Sequence, residues 1–139
     1  VDQSGCGFSG ITLVDSELEN CDPVGPFRSF SFSAHQSLIQ GLDGASIAGL
    51  VNSTVVNSRL LVGSPSVEVS GSSLCRTDGG VAVELTSSGD VDLSGNHWCT
   101  TVPDEIEALI TDDLDDATLG RVTYTPFLDA PSPDAPPLP

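Results

Sequence analysis

Two histidines, His35 and His97, are the residues in this 139-residue sequence whose type most often serves as a general acid or base. Each of them lies in a turn at the start of a short apolar segment. The sequence supplies no nucleophile with an orienting acid beside either histidine, as a catalytic triad requires. We therefore interpret His97, next to Trp98, as a packing or turn residue, and predict no catalytic residue in this chain.

The basic side chains are four arginines, and there is no lysine. Arg59 and Arg76 lie near turns without a neighbouring cluster of carboxylates, although Asp78 is two residues from Arg76. We interpret these arginines as solvated turn charges.

An acidic run near the C-terminus could hold calcium, because carboxylate and carbonyl oxygens are the ligands that this ion prefers. The run lacks the glycine and the terminal glutamate of an EF-hand loop. Turn formation, with Asp116 as an N-cap, is the alternative that the sequence favours. The four carboxylates concerned are Asp112, Asp113, Asp115 and Asp116.

Four cysteines are the remaining reactive side chains, and no two of them are spaced two to four residues apart as in zinc sites. Disulfides explain them better, and two bridges would indicate an oxidising, extracytoplasmic setting. The cysteines are Cys6, Cys21, Cys75 and Cys99.

The elements that must position these residues follow from an internal repeat. The segment from Val67 to Cys75, VEVSGSSLC, matches the segment from Val91 to Cys99, VDLSGNHWC, at an offset of 24 residues. Both segments alternate apolar and polar residues and then turn at Ser-Gly. Stacked coils explain this match better than a hairpin does, because like residues of successive coils pair in parallel register. The sequence therefore predicts a parallel β-solenoid.

A second repeat extends the pattern towards the N-terminus. Residues 13–20 and 50–57 match at an offset of 37, which corresponds to two coils, and residues 30–39 supply the coil between them. We predict about five coils whose apolar anchors are Leu18, Leu38, Val55, Leu74 and Trp98. The predicted inward column also contains Ile11, Leu13, Leu50, Val67, Val69, Val83 and Leu93.

This stacking predicts how the cysteines pair. Cys75 and Cys99 occupy the same position in consecutive coils, and a strand separation of about 4.8 Å brings their Cα atoms within bridging range. Cys6 and Cys21 lie a little under one coil apart and would join the opposite end of the solenoid.

The pattern changes after Trp98. Residues 103–110, PDEIEALI, begin with a proline, carry acids in the first turn and predict a short capping helix. Residues 121–128 predict a last strand, so that residues 1–128 form one all-β domain with a C-terminal cap. Residues 129–139, DAPSPDAPPLP, contain five prolines and predict an extended tail or linker.

The segment from Asn96 to Leu128 resembles the C-terminal part of bacterial and archaeal parallel β-helix repeat proteins of the pectate-lyase-like superfamily. Cys99 replaces the usual glycine, which is consistent with an added disulfide. The resemblance implies that the solenoid is a right-handed parallel β-helix. It does not imply one function, because such modules occur in surface proteins and in carbohydrate enzymes alike. The matching positions are Asn96, Trp98, Ile106, Ile110, Asp112, Asp115, Asp116, Gly120, Val122, Tyr124, Pro126, Phe127 and Leu128.

Charge excludes several classes of partner. A formal charge of −16 opposes attraction to phosphates or anionic lipid. We expect no nucleic-acid partner and no insertion into a membrane.

We predict a non-catalytic structural or binding module, extracellular or on a cell surface, and no cofactor apart from the calcium alternative. Residues 1–10 contain nothing to cover the first coil, so the N-terminal edge could pair with another copy or with a larger chain. The alternative is a fragment of a carbohydrate-active enzyme that binds an oligosaccharide or polysaccharide on a strand face. Asn52-Ser53-Thr54 is a glycosylation sequon, but Asn52 also falls at a turn position.

Overall fold

The computed structural model describes residues 11–19 and 31–139. The described residues form thirteen short strands and one helix. In chain order these are β1 Ile11–Val14, β2 Glu17–Glu19, β3 Ser31–His35, β4 Leu38–Gln40, β5 Asp43–Val51, β6 Thr54–Val56, β7 Arg59–Val62, β8 Glu68–Ser70, β9 Ser73–Cys75, β10 Val83–Leu85, β11 Val91–Asp92, α1 Pro103–Glu107, β12 Ile110–Thr111 and β13 Val122–Thr123.

All the strand pairs are parallel, and they form two main sheets with a small third one. Sheet A has the order β2-β4-β6-β9, and a pair of bridges adds His97 and then Leu128 to its edge. Sheet B has the order β1-β3-β5-β7-β10-β12, with β8 also paired to β5, and β11 pairs with β13. The long strand β5 serves two sides of a coil, because its first part pairs with β7 and its last part with β8. The predicted parallel β-solenoid is confirmed.

The number of coils is smaller than predicted. About three complete coils are stacked in the described part of the chain, instead of five. Ile39 pairs with Val55 and Val55 with Leu74, which gives coils of 16 and 19 residues, and the next coil runs from Ser73 to His97. Residues 20–30, within the first predicted coils, lie outside the described residues. The last predicted coil is interrupted by α1 and by the loops around it.

The core lies between the sheets and is built by alternate residues of the short strands. Leu50, Val69, Leu74 and Trp98 are each at most 5% exposed. One predicted anchor is wrong: Ile39 lies inside the coil and pairs with Val55, whereas Leu38 points away from the core. The other predicted inward residues whose side chains are buried are Val55, Val67, Val83 and Leu93.

Each coil turns one corner in the left-handed region of backbone space. Gln36 and Asn52 have φ of 50° and 51°, and Gly71 and Gly95 take the equivalent place in the following coils. Asp15 has the same conformation two coils before Asn52, as the repeat predicts. Asparagine, aspartate and glycine tolerate this conformation better than other residues. A Cβ at Gly71 would also collide with Asn52 Oδ1, so the Asn52 side chain would have to move to accommodate another residue there.

A serine follows the corner residue in four coils, and these serines form a continuous hydrogen-bonded ladder. The N–H of Ser37 donates to Ser53 Oγ at 3.1 Å, and the N–H of Ser53 donates to Ser72 Oγ at 3.1 Å. Each hydroxyl in turn donates to the carbonyl two residues before it, as Ser53 does to Val51. Asn96 ends the ladder, because its Oδ1 accepts from the N–H of Ser72. The ladder satisfies backbone groups that the tight corner removes from the sheets.

Replacing Ser53 with alanine should lower the free energy of unfolding by about 2 kcal/mol, because the buried N–H of Ser37 loses its acceptor. Chemical denaturation followed by circular dichroism measures this difference. Ser88, which is exposed in a turn, provides the matched control, and Ser88→Ala should be neutral. Equal stability of the two variants would contradict the ladder's contribution.

The cap begins at α1, where Pro103 occupies the first turn and Ile106 is fully buried. The helix ends at Glu107, before the predicted end at residue 110, because Ile110 pairs with Val83 as part of sheet B and must be extended. Strand β13 then pairs with β11, and Leu128 pairs with His97. The C-terminal side of the solenoid is thereby covered.

The Cys75–Cys99 disulfide is present, as predicted from the repeat. Its Cα atoms are 5.3 Å apart across neighbouring coils. The bridge lies on the outer side of sheet A, because the residues before each cysteine, Leu74 and Trp98, point into the core. The predicted Cys6–Cys21 bridge lies outside the described residues.

Candidate binding face

One row of side chains on the outer side of sheet A is the candidate functional site. Because Ile39, Val55, Leu74 and Trp98 point into the core, their preceding neighbours point outward. We call these neighbours the outer row: Leu38, Thr54, Ser73 and His97, which lie side by side in successive coils.

Three of the four residues of the outer row are buried although they point away from the core, and Leu38 is partly buried. Thr54 and Ser73 are fully buried, and His97 is only 7% exposed. Residues in such outward positions of a one-sided sheet are ordinarily in contact with water. Another part of the molecule must therefore cover them.

The C-terminal segment, from Leu128 into the proline-rich tail of residues 129–139, lies against this row. Leu128 lies beside His97, and its carbonyl oxygen is 3.0 Å from His97 Nδ1. Eight residues later, the carbonyl oxygen of Pro136 accepts a hydrogen bond from Thr54 Oγ1. Pro136 and Pro137 also line a cavity with Leu38. The tail thus lies across the strands of sheet A.

Ser73 and His97 do not form a nucleophile and base. The Ser73 hydroxyl is buried and has no hydrogen-bond partner, so it is not bonded to the adjacent imidazole. The carbonyl of Leu128 can only accept a hydrogen bond, so His97 Nδ1 is the donor in this contact. The ring therefore fixes the start of the tail.

A second, open groove lies on the outer side of sheet B. His35 and Glu68 are exposed there, and the remaining residues are small or hydroxyl-bearing. Glu68 is the only acid among the described residues that line this groove, whereas glycoside hydrolysis uses a pair of carboxylates. The other residues of the lining are Thr12, Ser33, Ala34, Ala48, Gly49, Val51 and Ser66.

The arginines are ion-paired, which corrects the prediction that Arg76 is a solvated turn charge. The Arg76 side chain is 16% exposed and lies 2.7 Å from Asp78, while its Nη1 donates to the carbonyl of Val81. The hydrogen bond from Arg76, together with one from the N–H of Gly80, lowers the pKa of Asp78. Arg59 pairs with Glu84 at 3.0 Å on sheet B. Arg76 thus fixes the loop between β9 and β10.

The predicted calcium run forms a hydrogen-bonded turn. Asp112 is 2% exposed and accepts from the N–H groups of Leu114 and Val122. Asp115 accepts from the N–H of Asp112, Asp116 from Thr118, and Asp113 from Arg121. Within residues 11–19 and 31–139, no three histidine, cysteine or acidic side chains are grouped closely enough to bind a metal.

Acidic side chains far outnumber the arginines in the described ranges, and each of these three arginines is already paired with a carboxylate. We expect the melting temperature to rise by about 5 °C when NaCl is raised from about 0.01 M to about 1 M, because salt screens repulsion among carboxylates. Differential scanning calorimetry at pH 7 measures this rise. At pH values near 4, where the carboxylates begin to be protonated, the salt effect should shrink. A melting temperature that does not depend on salt at pH 7 would contradict the expectation.

In the described part of the chain, no helix has the length and hydrophobicity needed to cross a bilayer. Comparison of the sequence and the structure with known proteins gives no match to a family model, a curated protein or a solved structure.

Proposed function

We propose that this chain is a non-catalytic structural or binding module that acts outside the cytoplasm, secreted or on a cell surface. The observation that supports the proposal most directly is the burial of the outer row. Thr54, Ser73 and His97 are the hydroxyl and imidazole groups closest to an enzyme-like arrangement, and all three are buried, with Thr54 bonded to Pro136 of the chain's own tail. A covered row serves contact between segments and is not open to a small substrate.

The disulfide supports the proposed location. Cys75–Cys99 links two coils across the outer side of sheet A, and bridges of this kind persist in oxidising compartments. The strongly acidic surface suits a protein that must remain dispersed at high concentration. Both features favour a displayed scaffold.

The second candidate is a fragment of a carbohydrate-active enzyme that binds an oligosaccharide on a strand face. The open groove on sheet B supports it, because His35, Glu68 and several hydroxyl groups line an exposed surface. A single carboxylate could bind sugar hydroxyls without cleaving a glycosidic bond. We rank this candidate second for that reason.

Incubation with neutral and acidic oligosaccharides, followed by mass spectrometry of the sugars, tests the two candidates together. The proposal expects every oligosaccharide to be recovered intact. Cleavage that disappears in Glu68→Gln and persists in Glu105→Gln, a control on the exposed face of the capping helix, would establish the enzyme and overturn the proposal.

A further inference from the structure

The outer row offers more hydrogen-bond donors than the chain's own tail uses. Thr54 donates to the carbonyl of Pro136, whereas the hydroxyl of Ser73, one coil further along, is buried without a partner. A buried hydroxyl without a partner is uncommon, because its desolvation is not compensated. The row therefore has a vacant donor beneath the tail.

The path of the tail explains why Ser73 is missed. Leu128 and Thr54 are three strand spacings apart on sheet A, about 14 Å at 4.8 Å per spacing. The eight residues from Leu128 to Pro136 would span about 25 Å in a polyproline conformation. The excess length is taken up by a turn, in which the N–H of Ala135 donates to the carbonyl of Ser132. With this turn in place, the tail has a carbonyl on Thr54 but none on Ser73.

The chemistry of the row selects proline-rich segments. Proline has a carbonyl acceptor but no N–H, so it is matched by a face that presents hydroxyl donors, as Thr54 does for Pro136. A proline-rich segment is already extended and loses little conformational freedom on binding. The tail itself, with five prolines in residues 129–139, shows that the face accepts such a segment.

We propose that the outer row is a docking site for the proline-rich tail of a second copy of this chain, so that two copies exchange tails. This inference deepens the proposed binding function and rests on it. An exchanged tail reaches the row from another molecule, is not held to Leu128 of the same chain, and need not form the turn at residues 132–135. It can lie straight across the row and place carbonyl oxygens on both Thr54 and Ser73.

Two forces oppose the exchange and set its conditions. A tail attached to its own chain has a high effective concentration, on the order of millimolar. Two copies that each carry a formal charge of −16 also repel each other. Tail exchange is therefore expected at high local concentration and at moderate or high salt, as on a densely covered surface.

Intermolecular spin-label broadening in NMR tests the exchange with full-length chains. A nitroxide is attached to one unlabelled chain through Pro139→Cys, and this chain is mixed with an isotope-labelled chain at about 0.1 mM and about 1 mM, the range that tail tethering predicts. We expect the amide signals of Thr54 and Ser73 in the isotope-labelled chain to lose at least half their intensity at the higher concentration. A nitroxide placed at Ser88→Cys, in the exposed turn, should leave them unchanged.

A substitution in the isotope-labelled chain, which receives the tail, provides a second test. Thr54→Val keeps the shape of the side chain but removes the donor, and it should abolish the broadening. Thr123→Val, on the exposed side of β13, should preserve it.

Three outcomes would overturn the proposal: no broadening at the higher concentration, equal broadening from the Ser88 label, or full broadening of Thr54→Val. A free peptide with the tail sequence could shift the same signals while whole chains fail to exchange. That result would show that the face receives free segments and would reject the second copy as its occupant. Each outcome is independent of sugar cleavage, which tests the proposed function.

Discussion

Replacement of Asn96 with alanine is expected to lower the free energy of unfolding by about 4 kcal/mol, because three buried backbone groups lose a partner. The Asn96 side chain is fully buried. Its Oδ1 accepts from the N–H of Ser72, and its Nδ2 donates to the carbonyls of Val69 and Leu93 at 3.0 and 2.8 Å. Alanine satisfies none of these groups. Urea unfolding monitored by the fluorescence of Trp98 measures the loss.

The chain supplies its own comparison for Asn96. Serine occupies the equivalent rung in earlier coils, for example Ser53 and Ser72. Asn96→Ser should therefore keep part of the ladder and cost about half as much as Asn96→Ala. Equal losses in the two variants would show that the side chain's volume, rather than its hydrogen bonds, stabilises this corner.

Removal of the Cys75–Cys99 bridge is expected to cost about 3 kcal/mol, because the bridge closes a loop with a sequence separation of 24 residues. The double variant Cys75→Ser with Cys99→Ser tests this by calorimetry. Its melting temperature should fall and should then respond less to a reducing agent than that of the unaltered chain. An unaltered melting temperature in the double variant would contradict a stabilising role.

The sequence was sufficient to predict the stacking of coils. Residues 13 and 50 are matched in the repeat at an offset of two coils. In the structure Leu13 pairs with Ala34, and Ala34 pairs with Leu50. Val67 and Val91 are 24 residues apart in the repeat. Gly71 and Gly95 have the same separation, and the N–H of Gly71 donates to the carbonyl of Gly95. Parallel register makes equivalent residues neighbours, so a repeat in sequence becomes a contact in space.

Coil lengths and local shifts could not be predicted in the same way. Leu38 and Ile39 are both apolar and adjacent, and only pairing with Val55 decides which one enters the core. Alternation of apolar and polar residues tells which residues of a strand face the core. It cannot decide between two adjacent apolar residues, because a shift of one residue exchanges their faces. The helix was predicted three residues too long because β-pairing of Ile110 outweighs local helix propensity.

The candidate site was only partly visible in the sequence. The sequence marks His97 as a candidate by its residue type, but it gives no sign that Thr54 and Ser73 lie beside it in one row. Their importance comes from the tail, whose contact with Thr54 joins residues 82 positions apart. The corner serines did carry a signal, since a serine follows the turn residue at Ser16, Ser37, Ser53 and Ser72, but its meaning depends on the stacking.

Because the corners of the ladder are alike, recombination can delete or insert a whole coil between two of them. Gln36 and Asn52 share one backbone conformation, and each is followed by a serine of the ladder. Loss of residues 37–52 in one recombination event would join Gln36 directly to Ser53 and restore the same corner. A gene for such a chain can therefore gain or lose whole coils without a new turn having to evolve, provided that the breakpoints fall at equivalent corners.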